Sequence, residues 1–355
     1  MTELAAQPNT QNGATTGLIL GKFLPPHHGH RYLIEFAMRY VDHLTVIIET
    51  SHAEIDGQLR FQWLCEMVPG CRVLALVEPM PQSPEEHPRF WELWRETLID
   101  RNGGVPDYLF ASELYGAKLA DAIGTRFVPV DPDRCNIDVS GTQIRQKPTE
   151  YWQHIPRVAR SYFTKRVCVF GAESTGKTTL CETLADYFQT RWVPEYARIH
   201  LAHKAHRLDS SQLAVSEHAP VPIEFDDIDS IARGQIASED AIARDANRVL
   251  ICDSDLLLTQ IWSETLFGRC PQWIRDTARQ RHYDLYLVCE PDVPWVADVF
   301  RYKPDDRMAF HQHCLRLLES NQRNVITLNG SWKQRTTSAI AAVDALLEDD
   351  SVSRA

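Results

Sequence analysis

Apolar residues fall along this chain in short, β-branched runs separated by stretches with helical spacing. In the first half the strand-like runs lie at 17–23, 44–48, 72–77, 108–111 and 127–130, with helical patterns at 31–40, 90–99 and 114–122. The second half repeats the alternation, with apolar runs at 166–170, 190–194, 248–253, 283–289 and 324–328 and helical spacing over 179–188 and 337–347. Strands alternating with helices predict parallel sheets covered on both faces, with ligands at the carboxyl ends of the strands. The expected fold class is α/β, with two parallel-sheet, three-layer domains.

The pattern is punctuated most sharply at Gly171-Ala172-Glu173-Ser174-Thr175-Gly176-Lys177-Thr178, followed by Thr179. A strand before and a helix after this G-x-x-x-x-G-K-[ST] run give it a mechanism. Backbone N–H groups ring a phosphate, Lys177 supplies a point charge, and Thr178 ligates Mg²⁺. This half is expected to bind ATP or GTP.

The first predicted strand ends in Gly21-Lys22-Phe23 and runs into Pro26-His27-His28-Gly29-His30. Spacing puts His27 and His30 about one turn apart at a helix N-terminus, where both can donate to phosphoryl oxygens. Taken alone, the pair leaves open a metal site or satisfied surface histidines. A second anion site is expected at Ser140-Gly141-Thr142-Gln143-Ile144-Arg145. There Ser140 reads as an N-cap, with Thr142 and Arg145 in the first turns.

Together these two stretches resemble the HxGH nucleotidyltransferase superfamily, whose members join a nucleoside monophosphate to an acceptor and release pyrophosphate. The resemblance implies that His27 and His30 contact ATP and stabilise charge on the α-phosphate. It gives Gly21, Lys22, Phe23, Ser140, Thr142 and Arg145 to the same ATP site. Catalysis would be positioning and charge stabilisation, without a covalent intermediate.

In the second half, Glu195 follows the short run at 190–194, where it can take a proton from an attacking hydroxyl or serve as a solvent-facing carboxylate. The run at 248–253 ends in Asp253, which suits a Mg²⁺-side acid, and Asp255 doubles it. Asp298, Arg301, Lys303 and Arg307 form a basic cluster fit for a lid over phosphates or for a solvated face. The His-, Ser- and Pro-rich stretch 203–225 reads as a long loop beside the cleft.

The fusion of the two motif sets is similar to the bifunctional nicotinamide-mononucleotide adenylyltransferase/ribosylnicotinamide kinase family of the NadR type. Glu195-Tyr196-Ala197-Arg198, Asp253-Ser254-Asp255 and Pro294-Trp295-Val296-Ala297-Asp298 add to the likeness, which covers about 17 to 348. It implies that one half phosphorylates nicotinamide riboside and the other converts the mononucleotide and ATP into NAD and pyrophosphate. Both steps would use Mg²⁺ and ATP. Lys177, with Arg301 and Arg307, would serve the kinase ATP, and Asp255 the ribose hydroxyls. Trp91 and Trp94 are candidates for stacking on nicotinamide, or for the core. A fusion of phosphopantetheine adenylyltransferase with dephospho-coenzyme A kinase shares the main motifs, and a nucleotide-binding regulatory sensor also stays open. Some family members carry an N-terminal helix-turn-helix. With 16 residues before the first strand, specific operator binding is not expected. A homo-oligomer is the expected assembly.

Composition narrows this little further. At 355 residues, 44% hydrophobic and 24% charged, the chain is an ordinary two-domain globular length. Nine scattered cysteines without a CxxC pair suggest reduced thiols and the cytoplasm. No run reaches the roughly 20 apolar residues of a membrane span. A net charge of −11 argues against a broad nucleic-acid surface. The expected organisation is a disordered tail over 1–16, an adenylyltransferase domain over 17–160 and a phosphate-loop kinase domain over 161–355. Between them, 146–164 forms a packed joint around Tyr151, Trp152 and Tyr162.

Overall fold

The structure, a computed structural model, describes residues 13–51, 54–207, 221–296, 300–302 and 306–349. Most of the tail, Ala297, Asp298, Lys303 and much of the loop at 203–225 therefore lie outside the described residues. The chain divides into two compact units, and the break falls between Ala159 and Arg160.

The first unit contains β1 (Thr16–Gly21), α1 (His28–Tyr40), β2 (His43–Glu49), α2 (Gly57–Met67) and β3 (Arg72–Leu76). It continues with α3 (Phe90–Asn102), β4 (Tyr108–Ala111), α4 (Tyr115–Ile123), β5 (Arg126–Pro129) and α5 (Gly141–Gln146). The strands form one parallel sheet in the order β3-β2-β1-β4-β5. Strand alternation divides the core in two. Ile19, Val46 and Ile48 pack with Leu33, Ile34 and Leu64 of α1 and α2, whereas Leu18, Ile47 and Leu109 pack with Trp94, Leu98 and Leu119 of α3 and α4. The order reverses beside β1, so the loop after β1 opens at the switch point where such sheets bind ligands.

Two local readings need correction here. Thr15 and Thr16, assigned to the tail by the sequence, are tied to the first unit: Thr15 N bonds the Asp42 carboxylate at 2.7 Å and Thr16 N bonds Asp107 at 2.8 Å. Helix α1 starts at His28 and not at Arg31, because the His27 side chain caps it by accepting from the His30 N–H.

α6 (Arg157–Phe163) spans the break. The second unit then holds β6 (Lys165–Phe170), α7 (Lys177–Tyr187), β7 (Arg191–Val193), α8 (Tyr196–Arg207), α9 (Phe225–Ile242) and β8 (Val249–Asp253). After these come α10 (Leu256–Phe267), α11 (Gln272–Gln280), β9 (Leu285–Cys289), α12 (Arg307–Ser320), β10 (Val325–Leu328) and α13 (Trp332–Glu348). Its parallel sheet runs β10-β9-β6-β8-β7. Cys168, Phe170, Cys252 and Val288 face the helices that carry Ile228, Leu257 and Phe310, and Val167, Val169, Ile251 and Leu287 face Leu180, Leu184, Ala339 and Val343. α13 begins at Trp332, five residues before the helical spacing reveals it, because Ser331 and Gln334 form a capping box. All nine cysteines are free, and among the described residues no helix is long and apolar enough to cross a membrane.

Candidate functional site

In the first unit, the turn after β1 and the start of α1 bring His27 and His30 together. Their rings stack with centroids 3.7 Å apart, and His27 Nδ1 accepts from the His30 N–H at 3.4 Å. That bond leaves the proton of a neutral His27 on Nε2, as a donor. A Cβ on Gly29 would lie 3.0 Å from the His27 ring, a tight contact that the glycine avoids.

Burial, with the His30 and Arg134 charges, pushes His27 far below the ordinary histidine range, and burial with Arg134 pushes His30 down to about 3. Both rings are neutral at pH 7. Nδ1 of His30 is buried without a hydrogen-bond partner among the described residues. Such an orphan fits a phosphoryl ligand better than a metal, because no group of three or more ligating side chains occurs among the described residues.

Arg134 escaped the motif reading. It lies in a loop that the Asp131 carboxylate folds by accepting from Asn136 N at 3.1 Å and Ile137 N at 3.3 Å. The guanidinium is held by the Val139 carbonyl at 3.3 Å. Its only sequence signal is an arginine in a turn-rich run shortly before Ser140.

Ser140 caps α5 through a capping box with Gln143. Arg145 pairs with Glu54 at 2.6 Å, reaches Thr142 Oγ1 at 3.4 Å and also bonds the Leu24 carbonyl beside the histidine turn. A Cβ on Gly141 would meet that same carbonyl at 2.4 Å, so the two stretches of the motif are in direct contact. Gly21 and the exposed Lys22 lie at the end of β1. Arg60, fully buried and unanticipated, fastens this edge by bonding the Lys22, Glu49 and Ile55 carbonyls.

Two of the aromatic candidates are buried. Phe23 is 1% exposed, and its ring packs edge-on against His30 at 4.8 Å, so it supports a histidine and offers ATP no side-chain surface. Trp94 is a core residue whose indole N–H donates to the Pro81 carbonyl at 3.0 Å. Trp91, by contrast, is half-buried and lies 5.4 Å from the ring of Tyr115, beside exposed Leu114.

In the second unit, an open cleft of about 1100 Å³ runs along the phosphate loop between β6 and α7. Ser174, Gly171 and Gly176 take positive φ values, which curl the loop. The Lys177 ammonium, nearly buried, donates to the Ala172 carbonyl at 3.0 Å. Thr179 follows in α7 and lines the cleft. Thr175 Oγ1 bonds the same Ala172 carbonyl at 2.8 Å. From the neighbouring strand, Asp253 Oδ2 accepts from Thr178 Oγ1 at 2.6 Å. Burial raises the Asp253 carboxyl, against the pull of Lys177 and of the Thr178 bond. Two adjacent hard oxygens facing a phosphate loop fit one Mg²⁺.

Glu195 lines the cleft just past β7. Burial lifts it to about 7, with Lys177 opposing and Asp253 and Glu173 reinforcing the rise. Asp255 also lines the cleft, but its oxygens are committed: one caps α10 by accepting from Leu258 N at 3.2 Å, and the other accepts from Tyr286 OH at 2.7 Å. Burial raises it to about 6.

Two arginines cover the loop. Arg301 reaches Ser174 Oγ at 3.2 Å, and Arg307 reaches the Ser174 carbonyl at 3.1 Å and the Val293 carbonyl at 3.0 Å. Burial and the Arg301 charge lower the Arg307 pKa. Two guanidiniums converging on one phosphate loop are matched to an anion. Glu173, a variable position of the motif, accepts from Tyr302 N at 3.0 Å. The cleft also has an apolar lining, with Ile228, Ile231, Leu258, Trp262, Phe300 and Tyr302. Trp262 and Tyr302 pack at 6.2 Å. No motif marks either ring; only the fold brings α10 and Tyr302 together.

Residues 166–335 match the family described as an AAA domain. The chain is 30% identical over 326 residues to the trifunctional NAD biosynthesis/regulator protein NadR of Escherichia coli K12, covering 86% of this chain and 77% of that one. It is 29% identical over 324 residues to the protein of the same name from Salmonella typhimurium, covering 86% and 76%. A solved NadR structure in complex with NR aligns with a TM-score of 0.72 at 25% identity, covering 94% of this chain and 96% of that one. Another, in complex with NAD and AMP-PNP, gives 0.72 at 24% identity over 97% and 98%, which speaks to the fold.

Proposed function

The chain belongs to the NadR family, and from that membership we propose that it is a bifunctional enzyme of NAD biosynthesis. The second unit phosphorylates nicotinamide riboside with ATP, and the first adenylylates the resulting mononucleotide to give NAD and pyrophosphate. The observation that carries the reading is one cleft lined by Lys177 and Glu195 together with the rings of Trp262 and Tyr302. A nucleoside with a flat, cationic pyridinium ring suits such a mixed lining.

In this cleft, Glu195 takes the proton of the attacking 5′-hydroxyl, and a pKa near 7 is matched to that task. Lys177, Arg301 and Arg307 neutralise charge on the phosphoryl group in transfer. Thr178 and Asp253 would hold Mg²⁺, which when bound supplies charge to the phosphate oxygens. Asp255 acts by fixing the start of α10, while its place in the cleft leaves it near the ribose.

In the first unit, the phosphate of the mononucleotide attacks the α-phosphorus of ATP and pyrophosphate leaves. Neutral His27 and His30 donate to the phosphoryl oxygens, with Lys22, Thr142, Arg145 and Arg134 around the triphosphate. Trp91 with Tyr115 receives the pyridinium ring. The order follows from chemistry, because the phosphate added by the first reaction is the nucleophile of the second.

An acceptor panel tests this. The purified protein with Mg-ATP is given nicotinamide riboside, nicotinamide mononucleotide, phosphopantetheine or dephospho-coenzyme A, with products read by mass spectrometry. Mononucleotide and NAD are expected from riboside, and no product from the two pantetheine compounds. The reverse result would refute the proposal.

A further inference from the structure

Helix α9 carries a buried polar seat that the chemistry above does not use. Gln235 is 3% exposed. Its Oε1 accepts from the backbone N–H of Tyr196 at 3.0 Å, and its Nε2 donates to Glu239 Oε1 at 3.1 Å and to the Ser254 carbonyl at 3.5 Å. The amide has one allowed orientation, because the Tyr196 N–H can only donate and the Ser254 carbonyl only accept. Glu239, 1% exposed, is itself fixed by Tyr283 OH at 2.7 Å, Arg281 at 3.0 Å and Arg166 at 3.2 Å.

Both backbone partners adjoin acids of the cleft. Tyr196 follows Glu195, and Ser254 follows Asp253 in a strained backbone with φ 71°. β7, just before Glu195, is a three-residue edge strand, Pro194 has no N–H, and the Tyr196 N–H, a first-turn donor of α8 with no intrahelical acceptor, is taken by Gln235. The fold also makes room for the contact. A Cβ on Gly234 would lie 2.0 Å from the Tyr196 ring, so α9 carries a glycine there despite its poor helix propensity.

We propose that Gln235 is a positioning residue that ties the backbone beside Glu195 to the backbone beside Asp253, setting the separation between the proton-accepting carboxylate and the carboxylate paired with Thr178. The roles of the two acids rest on the proposed function; the tie itself does not.

Gln235→Met keeps the length of the side chain and removes all three hydrogen bonds. Two measurements on the full chain test it. The first is a carbon-13 NMR titration of Glu195, its signal identified by loss in Glu195→Gln. The second is the pH dependence of kcat and KM for riboside phosphorylation. With the tie removed, water reaches the carboxylate, so Glu195 should titrate at least about one pH unit lower and the acid limb of kcat should follow it. The expected fall in kcat is about 10- to 100-fold, with KM for ATP changed less than about twofold. Gln235→Asn, which keeps an amide donor and acceptor without placing a second carboxylate against Glu239, should recover part of the loss, and it replaces the Met variant if that does not fold. An unmoved Glu195 titration overturns the proposal, whether or not kcat falls. If the intact protein phosphorylates no riboside, the acceptor assignment fails alone, and the titration still decides the role of Gln235.

Discussion

Thr178 Oγ1 donates a 2.6 Å hydrogen bond to Asp253 Oδ2, joining the end of the phosphate loop to the end of β8. Two parallel strands, paired from Lys165↔Val249 to Val169↔Asp253, bring these residues together across 75 positions of sequence. Asp253→Asn keeps the shape and can keep the hydrogen bond, but it removes the charge. Riboside phosphorylation should fall by about 100-fold or more, with a higher Mg²⁺ requirement, while thermal stability stays the same or rises because a buried charge is gone. Initial rates across a Mg²⁺ titration, with a melting curve, check this.

Glu195 gives a pH dependence with a defined sign. Burial raises its folded-state value from 4.5 to about 7. The folded protein therefore holds the proton more tightly than the unfolded chain, and stability falls as pH rises between those values. Catalysis runs the other way, because the base must be deprotonated, so phosphorylation should rise through pH 7. Glu195→Gln should abolish that limb, lower kcat by about 100-fold, and gain up to about 2 kcal/mol over the native protein at pH 8. Denaturant melts at pH 5 and pH 8 beside a pH–rate profile measure both effects.

Arg335 holds the phosphate loop from behind. It is 1% exposed and donates to the carbonyls of Thr175 at 3.2 Å, Glu290 at 3.1 Å and Gly330 at 3.0 Å, besides pairing with Asp292. Arg335→Met would leave these carbonyls without their donor, a loss of about 2–4 kcal/mol. Denaturant unfolding should show it, together with weaker Mg-ATP binding at the loop.

How far the sequence disclosed this depends on the kind of signal. β1, β6 and β8 are buried on both faces, so their apolar runs stand out, and Asp253 ends one of them. The two glycine-bearing turns were legible because their spacing is local. α9 was not, since its exposed acids and its Gly234 weaken helical patterning, and the reason for that glycine, the Tyr196 ring, lies 38 residues away. Arg60, Arg134, Gln235 and Arg335 carry no motif. Each bonds backbone carbonyls or a backbone N–H, and such partners leave no trace in residue type. Phe23, beside a motif, is a buried ring packed on His30, and Trp94 takes the core alternative that its spacing left open.

One crossed experiment tests whether two chemically separate sites act in sequence. Lys177→Ala and His30→Ala variants are each given Mg-ATP with either riboside or mononucleotide, and mononucleotide and NAD are quantified by mass spectrometry. Lys177→Ala should make NAD from mononucleotide but neither product from riboside. His30→Ala should accumulate mononucleotide from riboside and make at least about 100-fold less NAD from either substrate. NAD from riboside in the Lys177→Ala variant at the native rate, or full NAD synthesis by His30→Ala, would contradict that arrangement.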